Sequence, residues 1–128
     1  YFIQKRLASD STEGIAASAA KLADLSRQAA QTNTGAQLTA LTQAAAKLQT
    51  TDLKTARKAF AAVSSSLIAL LQAAHVRKQP PYQFYCPMAN QNWLQPDKDI
   101  RNPYYGSSML KCGELVLSNK APAQYKHH

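Results

Sequence analysis

The chain has 128 residues, a formal net charge of +8 and a hydrophobic content of 45%. This length suits one domain with a single core, and this hydrophobic content excludes an intrinsically disordered chain. No apolar run approaches the roughly 20 residues that span a bilayer. The 15 Lys and Arg residues are spread along the chain without a basic stripe, so we expect no nucleic-acid-binding face.

The two ends of the chain carry no structural signal of their own. The chain begins at Tyr1 with neither an initiator Met nor a basic and apolar leader, which indicates a fragment or a processed chain whose export signal lies outside it. The last residues, Lys126-His127-His128, look like the start of a purification tag. We therefore assign no function to His127 and His128.

The first predicted element is a short helix. Three apolar residues recur there at helical spacing: Phe2, Ile3 and Leu7. Asp10, followed by Glu13, predicts the start of a second helix, since carboxylates are favoured near the positive end of a helix dipole. We expect this second helix over residues 11–31, and one continuous helix over residues 1–31 is the alternative.

Two further helices are predicted downstream. A stripe of Leu and Ala predicts a helix over residues 34–49, after a turn at Thr32-Asn33-Thr34-Gly35. The clearest stripe predicts a helix over residues 52–75, with Thr51 or Asp52 as its N-cap. This stripe consists of Leu53, Ala56, Phe60, Val63, Leu67, Leu70 and Ala74.

The predicted fold class is mainly α. We expect residues 1–78 to form an antiparallel bundle of three to four helices, because amphipathic helices with short connections bury their stripes most simply in this way. Residues 79–128 begin with helix-stopping prolines and should pack on the bundle as an irregular segment of the same domain. Two candidate strands, residues 82–86 and 114–117, can pair there as a short β-hairpin. The expected packing anchors are Trp93, Tyr104 and Tyr105.

All the sulfur atoms of the chain lie in this C-terminal segment, in Cys86, Met88, Met109 and Cys112. Residues two apart in an extended chain point to the same side, as do residues three apart on a helical turn. Cys86 with Met88, and Met109 with Cys112, can therefore each present two sulfurs together. Ser107-Ser108, after Gly106, can start the helical turn that the second pair needs.

Three interpretations of these sulfurs stay open. Cys86 and Cys112 can form a disulfide, the commonest state of two cysteines in an exported protein. The four sulfurs can instead bind a soft metal ion, since thiolates and thioethers favour Cu(I) over hard ions. They can also be inert, as a buried thiol pair and gap-filling methionines. His75 is a weaker ligand candidate, because a His beyond a helix end more often interacts with the end carbonyls.

An enzyme is not expected. His75 is the only His besides the two at the C-terminus, so a Ser-His-Asp set has no base to build on. The seven acidic residues are scattered and offer no obvious carboxylate pair, and Asp97 and Asp99 suit a solvated turn. Four well-separated glycines supply no phosphate-binding loop.

Three stretches, YCPMA, WLQ and IRNPYYGSSMLKCGELV, closely resemble the C-terminal signature of an uncharacterised bacterial periplasmic family, a domain of unknown function. Members of that family occur alone, or joined to or encoded near CusB-type heavy-metal efflux adaptors. The resemblance covers most of the chain and is specific over residues 85–116. Its motif positions correspond to Cys86, Pro87, Met88, Trp93, Leu94, Asn102, Pro103, Tyr104, Gly106, Met109, Cys112 and Gly113.

The resemblance implies an exported, periplasmic domain linked to copper or related metals, with a heavy-metal efflux adaptor or another periplasmic protein as its partner. The metal ligands are then Cys86, Met88, Met109 and Cys112, and the region of Trp93 and Tyr104 shields the ion. Asn102 and Gly106 shape the intervening turn, and Pro103 belongs to the same structural motif. Tyr85 stands where related motifs often carry a His, which disfavours Zn(II) or Cu(II) more than Cu(I). The alternative function is a non-catalytic structural or protein-interaction domain in which Cys86 and Cys112 form a disulfide staple.

Overall fold

The computed structural model describes residues 1–30, 35–76, 78–79 and 81–116. Within these ranges the chain is mainly α, with a three-stranded antiparallel sheet toward its C-terminus. The helices are α1 (Phe2–Ala8), α2 (Ile15–Ala30), α3 (Gly35–Ala46) and α4 (Leu53–Ala73). The strands are β1 (Tyr82–Cys86), β2 (Gln91–Gln95) and β3 (Glu114–Val116), and a 3-10 turn covers Gly106–Ser108.

The predicted helices are confirmed, with shorter bounds. α1 and α2 are separate, so the alternative of one continuous helix is wrong. α4 follows Asp52, whose carboxylate accepts hydrogen bonds from the backbone N–H and the hydroxyl of Thr55 at 2.9 and 2.6 Å. The predicted turn residues Thr32, Asn33 and Thr34 lie outside the described residues, as do His127 and His128. α3 contacts both α2 and α4, and α4 also contacts β2. A regular antiparallel bundle stays a prediction.

Asp10 does not start α2, contrary to the prediction. It adopts a left-handed backbone with φ 58°, and α2 begins only at Ile15. Its carboxylate instead accepts hydrogen bonds from Arg57 of α4 at 2.7 Å and from the hydroxyl and backbone N–H of Ser107 in the 3-10 turn. A hydrogen bond from a cationic group stabilises a carboxylate more than one from the free N–H groups at a helix N-terminus. The side chain of Asp10 therefore pairs with Arg57 instead of capping α2.

β1 is the central strand of the sheet. Phe84 lies opposite Trp93 of β2 on one side and opposite Leu115 of β3 on the other, and both pairings are antiparallel. The predicted pairing of residues 82–86 with residues 114–117 is therefore confirmed up to Val116, and Leu117 lies outside the described residues. β2 was missed because Gln and Asn disfavour strands. Its pairing with β1 across the turn at residues 87–90 outweighs this local preference.

The core joins the helices to the sheet through aromatic side chains. Trp93 is fully buried and stacks on Phe84, with ring centroids 5.5 Å apart. Tyr104 meets Trp93 edge to face at 6.1 Å and Phe60 of α4 at 5.8 Å. The expected anchors Trp93 and Tyr104 are thus buried in the core, and Tyr105 is partly buried against it.

Gln95 closes the loop that follows β2. Its Oε1 accepts hydrogen bonds from Nε1 of Trp93 at 2.8 Å and from the backbone N–H of Arg101 at 3.2 Å. Its Nε2 donates to the carbonyls of Asp97 and Asp99 at 2.9 and 2.8 Å. Because both ends of the amide are used, its complete burial carries no unpaired polar group.

Arg57 connects α4 to the C-terminal end of α1 and to the C-terminal segment of the chain. Its Nε donates to the carbonyl of Pro103 at 2.9 Å, and its Nη2 donates to the carbonyl of Leu7 at 2.8 Å and to Asp10. Gly106 lies directly against this junction with φ +55°, and a Cβ there would come within 2.0 Å of Oδ1 of Asp10 and 2.3 Å of Nη2 of Arg57. The junction therefore requires glycine at position 106.

We expect Gly106→Ala to lower the free energy of unfolding by about 2–4 kcal/mol, because the new Cβ would strain a left-handed backbone and break the Arg57–Asp10 contact. Urea unfolding followed by the fluorescence of Trp93 measures the change. Ser108→Ala, in the same turn but with an exposed side chain, is the matched control and should change stability by less than about 0.5 kcal/mol. Equal stabilities of the two variants would show that the junction tolerates a side chain at position 106.

Candidate functional site

Cys86 ends β1 and is fully buried. By strand alternation its side chain shares a face with Phe84, which stacks on Trp93. The turn at residues 87–90 folds back over the strand end, and the backbone N–H of Ala89 donates to Sγ of Cys86 at 3.4 Å. This hydrogen bond fixes the direction of the sulfur, as hydrogen bonds to ligand atoms do in metal sites.

Cys112 lies in the segment between the 3-10 turn and β3 and is half-buried. Its backbone N–H donates to the carbonyl of Met109 at 3.0 Å, which closes a turn over residues 109–112. The 3-10 turn ends at Ser108, so Met109 and Cys112 do not share the helical turn that the spacing predicted. The carbonyl of Cys112 accepts a hydrogen bond from Nδ2 of Asn102 at 2.7 Å. The next residue, Gly113, packs on the core so closely that a Cβ there would lie 2.7 Å from Cη2 of Trp93.

The fold brings the two thiols together. Cys86 and Cys112 are free. Tyr85 of β1 pairs with Glu114 of β3, which sets Cys86 beside the residues that precede β3, and Cys86 acts on the pKa of the Cys112 thiol. Burial raises the pKa of the Cys112 thiol, and the charge and hydrogen bond of Cys86 and the charge of Glu114 raise it further. Cys112 therefore keeps its proton at neutral pH, and any metal ion or oxidant that reacts with it must displace that proton.

The remaining ligand candidates are placed differently. Met88 lies in the turn after β1 and is 62% exposed, whereas Met109 is half-buried beside the 3-10 turn. His75 is exposed just beyond α4, in the segment that leads to the start of β1. Cys86 lies at the opposite end of that strand. In the part of the chain that the structure describes, no three His, Cys, Asp or Glu side chains lie together. His75 thus does not join the thiol pair.

Asn102 organises the loop that carries Cys112. It is fully buried, and its Oδ1 accepts hydrogen bonds from the backbone N–H groups of Tyr104 and Tyr105 at 2.8 and 3.2 Å. Its own backbone N–H donates to the carbonyl of Leu110 at 2.8 Å. Together with the hydrogen bond from Nδ2 to the carbonyl of Cys112, these contacts hold the two ends of the loop over residues 102–112 together.

Two hydroxyl groups lie on the buried side of the site. Tyr104 donates to the carbonyl of Asn92, which also accepts a hydrogen bond from Oγ of Ser64 at 2.6 Å. Burial raises the pKa of Tyr104 well above its ordinary value, and the charge of Cys86 adds to the effect. Sequence reasoning missed Ser64, because a Ser within a helical stripe gives no signal of a partner on a distant strand.

A separate apolar cavity of about 410 Å³ lies between α1, α2, α4 and β2. Its lining includes Ile3, Leu22, Val63 and Leu94, and neither Cys86 nor Cys112 belongs to it. Most of its lining residues are apolar, so the cavity offers mainly apolar contact. We therefore place the candidate site at the thiol pair, where reactive groups converge.

Comparison of the chain with protein-family models, with curated proteins and with solved structures finds no significant match. Among the described residues, no helix combines the length and the apolar character that crossing a membrane requires. The chemistry of the site must therefore be inferred from its own residues. Two neighbouring thiols, of which Cys86 lies in the core with Phe84, Trp93 and Tyr104, can bind a soft metal ion or oxidise to a disulfide.

We expect stability to fall as the pH rises above 9.0 in the presence of a reductant. The folded-state pKa of Cys112 lies above its ordinary value of 9.0. The stability that the protonated thiol contributes is therefore complete below pH 9.0 and is lost as the pH rises through the folded-state pKa. The same holds for Tyr104 above its ordinary value of 10.0. Urea unfolding at each pH measures the loss.

Two variants separate the contributions of the two groups. Cys112→Ala should flatten the part of the pH dependence that is due to the thiol, and Tyr104→Phe the part that is due to the phenol. If Cys112→Ala loses as much stability as the wild type over this pH range, burial of the Cys112 thiol is not its cause.

Proposed function

We propose that this protein is a soft-metal-binding module that takes up Cu(I), or a similar ion, through Cys86 and Cys112. The supporting observation is the proximity of two free thiols, one fully buried at the end of β1 and one half-buried just before β3, which pairs with β1. Soft sulfur ligands favour Cu(I), whereas Zn(II) needs a tetrahedral set of Cys, His or carboxylate groups. The described residues bring no third group of that kind to the thiols.

Met109 and Met88 are proposed as supplementary ligands. Met109 shares a hydrogen-bonded turn with Cys112 and is half-buried, so its thioether is the better placed of the two. Met88 is exposed in the turn after Cys86 and would have to change its rotamer to reach the same ion. Thioethers are neutral, soft ligands, so they add affinity for Cu(I) without attracting hard cations.

The resemblance of residues 85–116 to the periplasmic family supports the proposed location and biological setting. We propose a periplasmic protein that accompanies heavy-metal efflux or handling, with a CusB-type efflux adaptor or another periplasmic protein as its partner. The proposed role is non-catalytic: the site holds a metal ion or responds to it. Aromatic packing from Trp93 and Tyr104 would exclude water around the bound ion.

We expect the reduced protein to bind one Cu(I) ion in competition with a chromophoric chelator. Binding displaces thiol protons, so the affinity should rise between about pH 6 and pH 8. Cys86→Ser and Cys112→Ser should each weaken binding by more than about 100-fold, beyond the effect of losing an outer-shell contact. Met109→Leu should weaken binding less than either, and Met88→Leu least.

His75→Gln is the matched control for these variants and should bind Cu(I) like the wild type, because His75 lies apart from the thiols. An excess of Zn(II) should not displace Cu(I). Wild-type affinity in both cysteine variants would exclude the thiol pair as the site.

The same placement favours a second function, a structural or protein-interaction domain stapled by a Cys86–Cys112 disulfide. The register of β1 and β3 sets Cys86 beside the residues that precede β3, and a disulfide needs the Cα atoms of its two cysteines within about 7 Å of each other. Closing this loop would stabilise the fold by about 3 kcal/mol in the chain-entropy model. This state excludes metal binding until the disulfide is reduced.

If the disulfide is the working state, protein isolated from the periplasm without reductant should lack the mass of two hydrogen atoms and show no reactive thiols until reductant is added. Its free energy of unfolding should exceed that of the reduced protein by about 3 kcal/mol, and Cys112→Ser should abolish the difference. Reactive thiols that Cu(I) protects from labelling would instead support the metal-binding function.

A further inference from the structure

We propose that Asn102 is the positioning residue of the thiol pair. Its side-chain N–H holds the carbonyl of Cys112, and this contact turns the Cys112 thiol toward Cys86. The inference rests on the proposed use of the thiol pair and extends it to a residue that binds neither a metal ion nor an oxidant.

The two cysteines are held in different ways. Cys86 belongs to β1, pairs across the sheet with Gln91 and has its sulfur bonded by the N–H of Ala89. Cys112 precedes β3, and its N–H is bonded within its own turn to Met109. The bond from Asn102 ties the Cys112 carbonyl to the start of the loop instead. The rotation of Cys112 relative to the fixed Cys86 therefore depends on Asn102.

Packing of the neighbouring Gly113 does not replace this bond. The close approach of Gly113 to the ring of Trp93 sets how near the chain comes to the core. Such a contact is non-directional, whereas a hydrogen bond to the Cys112 carbonyl fixes the orientation of the peptide plane. That plane adjoins the Cα of Cys112, so fixing it limits the directions in which the side chain can leave the backbone.

The site needs the chemistry of asparagine. Oδ1 of Asn102 accepts from the N–H groups of Tyr104 and Tyr105, so the amide can face only one way and Nδ2 must point at Cys112. An ionised carboxylate would keep both acceptor bonds but could not donate to the carbonyl. An Asn102→Asp substitution thus removes the one bond in question and preserves the shape of the side chain.

The equilibrium of the thiol pair with glutathione measures the effective concentration of one thiol at the other, without any metal. At about pH 7.5, we expect Asn102→Asp to lower the equilibrium constant for forming the Cys86–Cys112 disulfide about tenfold, which equals about 30 mV for this two-electron couple. Asn92→Asp is the matched control. Its Oδ1 accepts from Nε2 of Gln83 at 3.1 Å, a role that a carboxylate retains, so the constant should stay within about twofold.

Acid should rescue the variant. Protonation of the introduced carboxyl group restores a donor toward Cys112, so the ratio of the wild-type constant to that of Asn102→Asp should fall toward one between about pH 7.5 and pH 5. A residue that only maintains the fold would show no such convergence. Equal constants at pH 7.5, or no disulfide in the wild type at any glutathione ratio, would overturn the proposal.

A second measurement uses the wild-type protein and decides the matter if Asn102→Asp does not fold. The side-chain amide resonances of Asn102 should shift when the thiols oxidise, while those of Asn92 stay in place. An unchanged Asn102 signal on oxidation would overturn the proposal. Because neither experiment contains a metal, a failure of Cu(I) binding would reject the metal function alone. Equal constants for the wild type and Asn102→Asp would reject the positioning role alone, whereas a wild type that forms no disulfide would also reject the disulfide-stapled function.

Discussion

The guanidinium group of Arg57 holds the C-terminal segment on the helical part of the chain, and the site depends on this contact. Its three hydrogen bonds reach Leu7 and Asp10 near the start of the chain and Pro103 in the C-terminal segment. The Arg57 side chain is only 18% exposed, so solvent screens its pairing with Asp10 less than it screens a surface ion pair. With this junction in place, the loop that carries Cys112 starts from a fixed point against α4.

Two buried side-chain amides then fix the conformation of the loops that form the site. Gln95 closes the residues after β2, and Asn102 closes the residues up to Cys112. Each amide uses its acceptor and its donor, which allows complete burial without an unpaired group. The aromatic packing of Trp93 and Tyr104 then removes water from the same region. The cost is a higher pKa for the groups enclosed there, because burial disfavours their charged forms.

This environment links the two proposed functions through one geometry. A buried thiol beside a half-buried thiol can release protons to a soft metal ion or lose electrons to form a disulfide, and each state excludes the other. An ion or an oxidant would reach the proposed site through the half-buried Cys112, since Cys86 has no exposed surface. The proposed periplasmic location is compatible with either state. The redox condition of the compartment would then set which of the two is populated.

The sequence by itself determined the four helices, the strands β1 and β3, and the four sulfur atoms as candidates, because periodicity, capping and residue type are local signals. It did not determine β2, whose Gln and Asn residues disfavour a strand until β1 pairs with them. The sequence also predicted Asp10 at a helix start, whereas in the structure its carboxylate accepts hydrogen bonds from Arg57 and Ser107. Only the tertiary structure decided that the thiols meet, that Met88 faces solvent, and that Asn102 holds Cys112. Each of these depends on groups brought together by folding, and no spacing along the chain encodes such a contact.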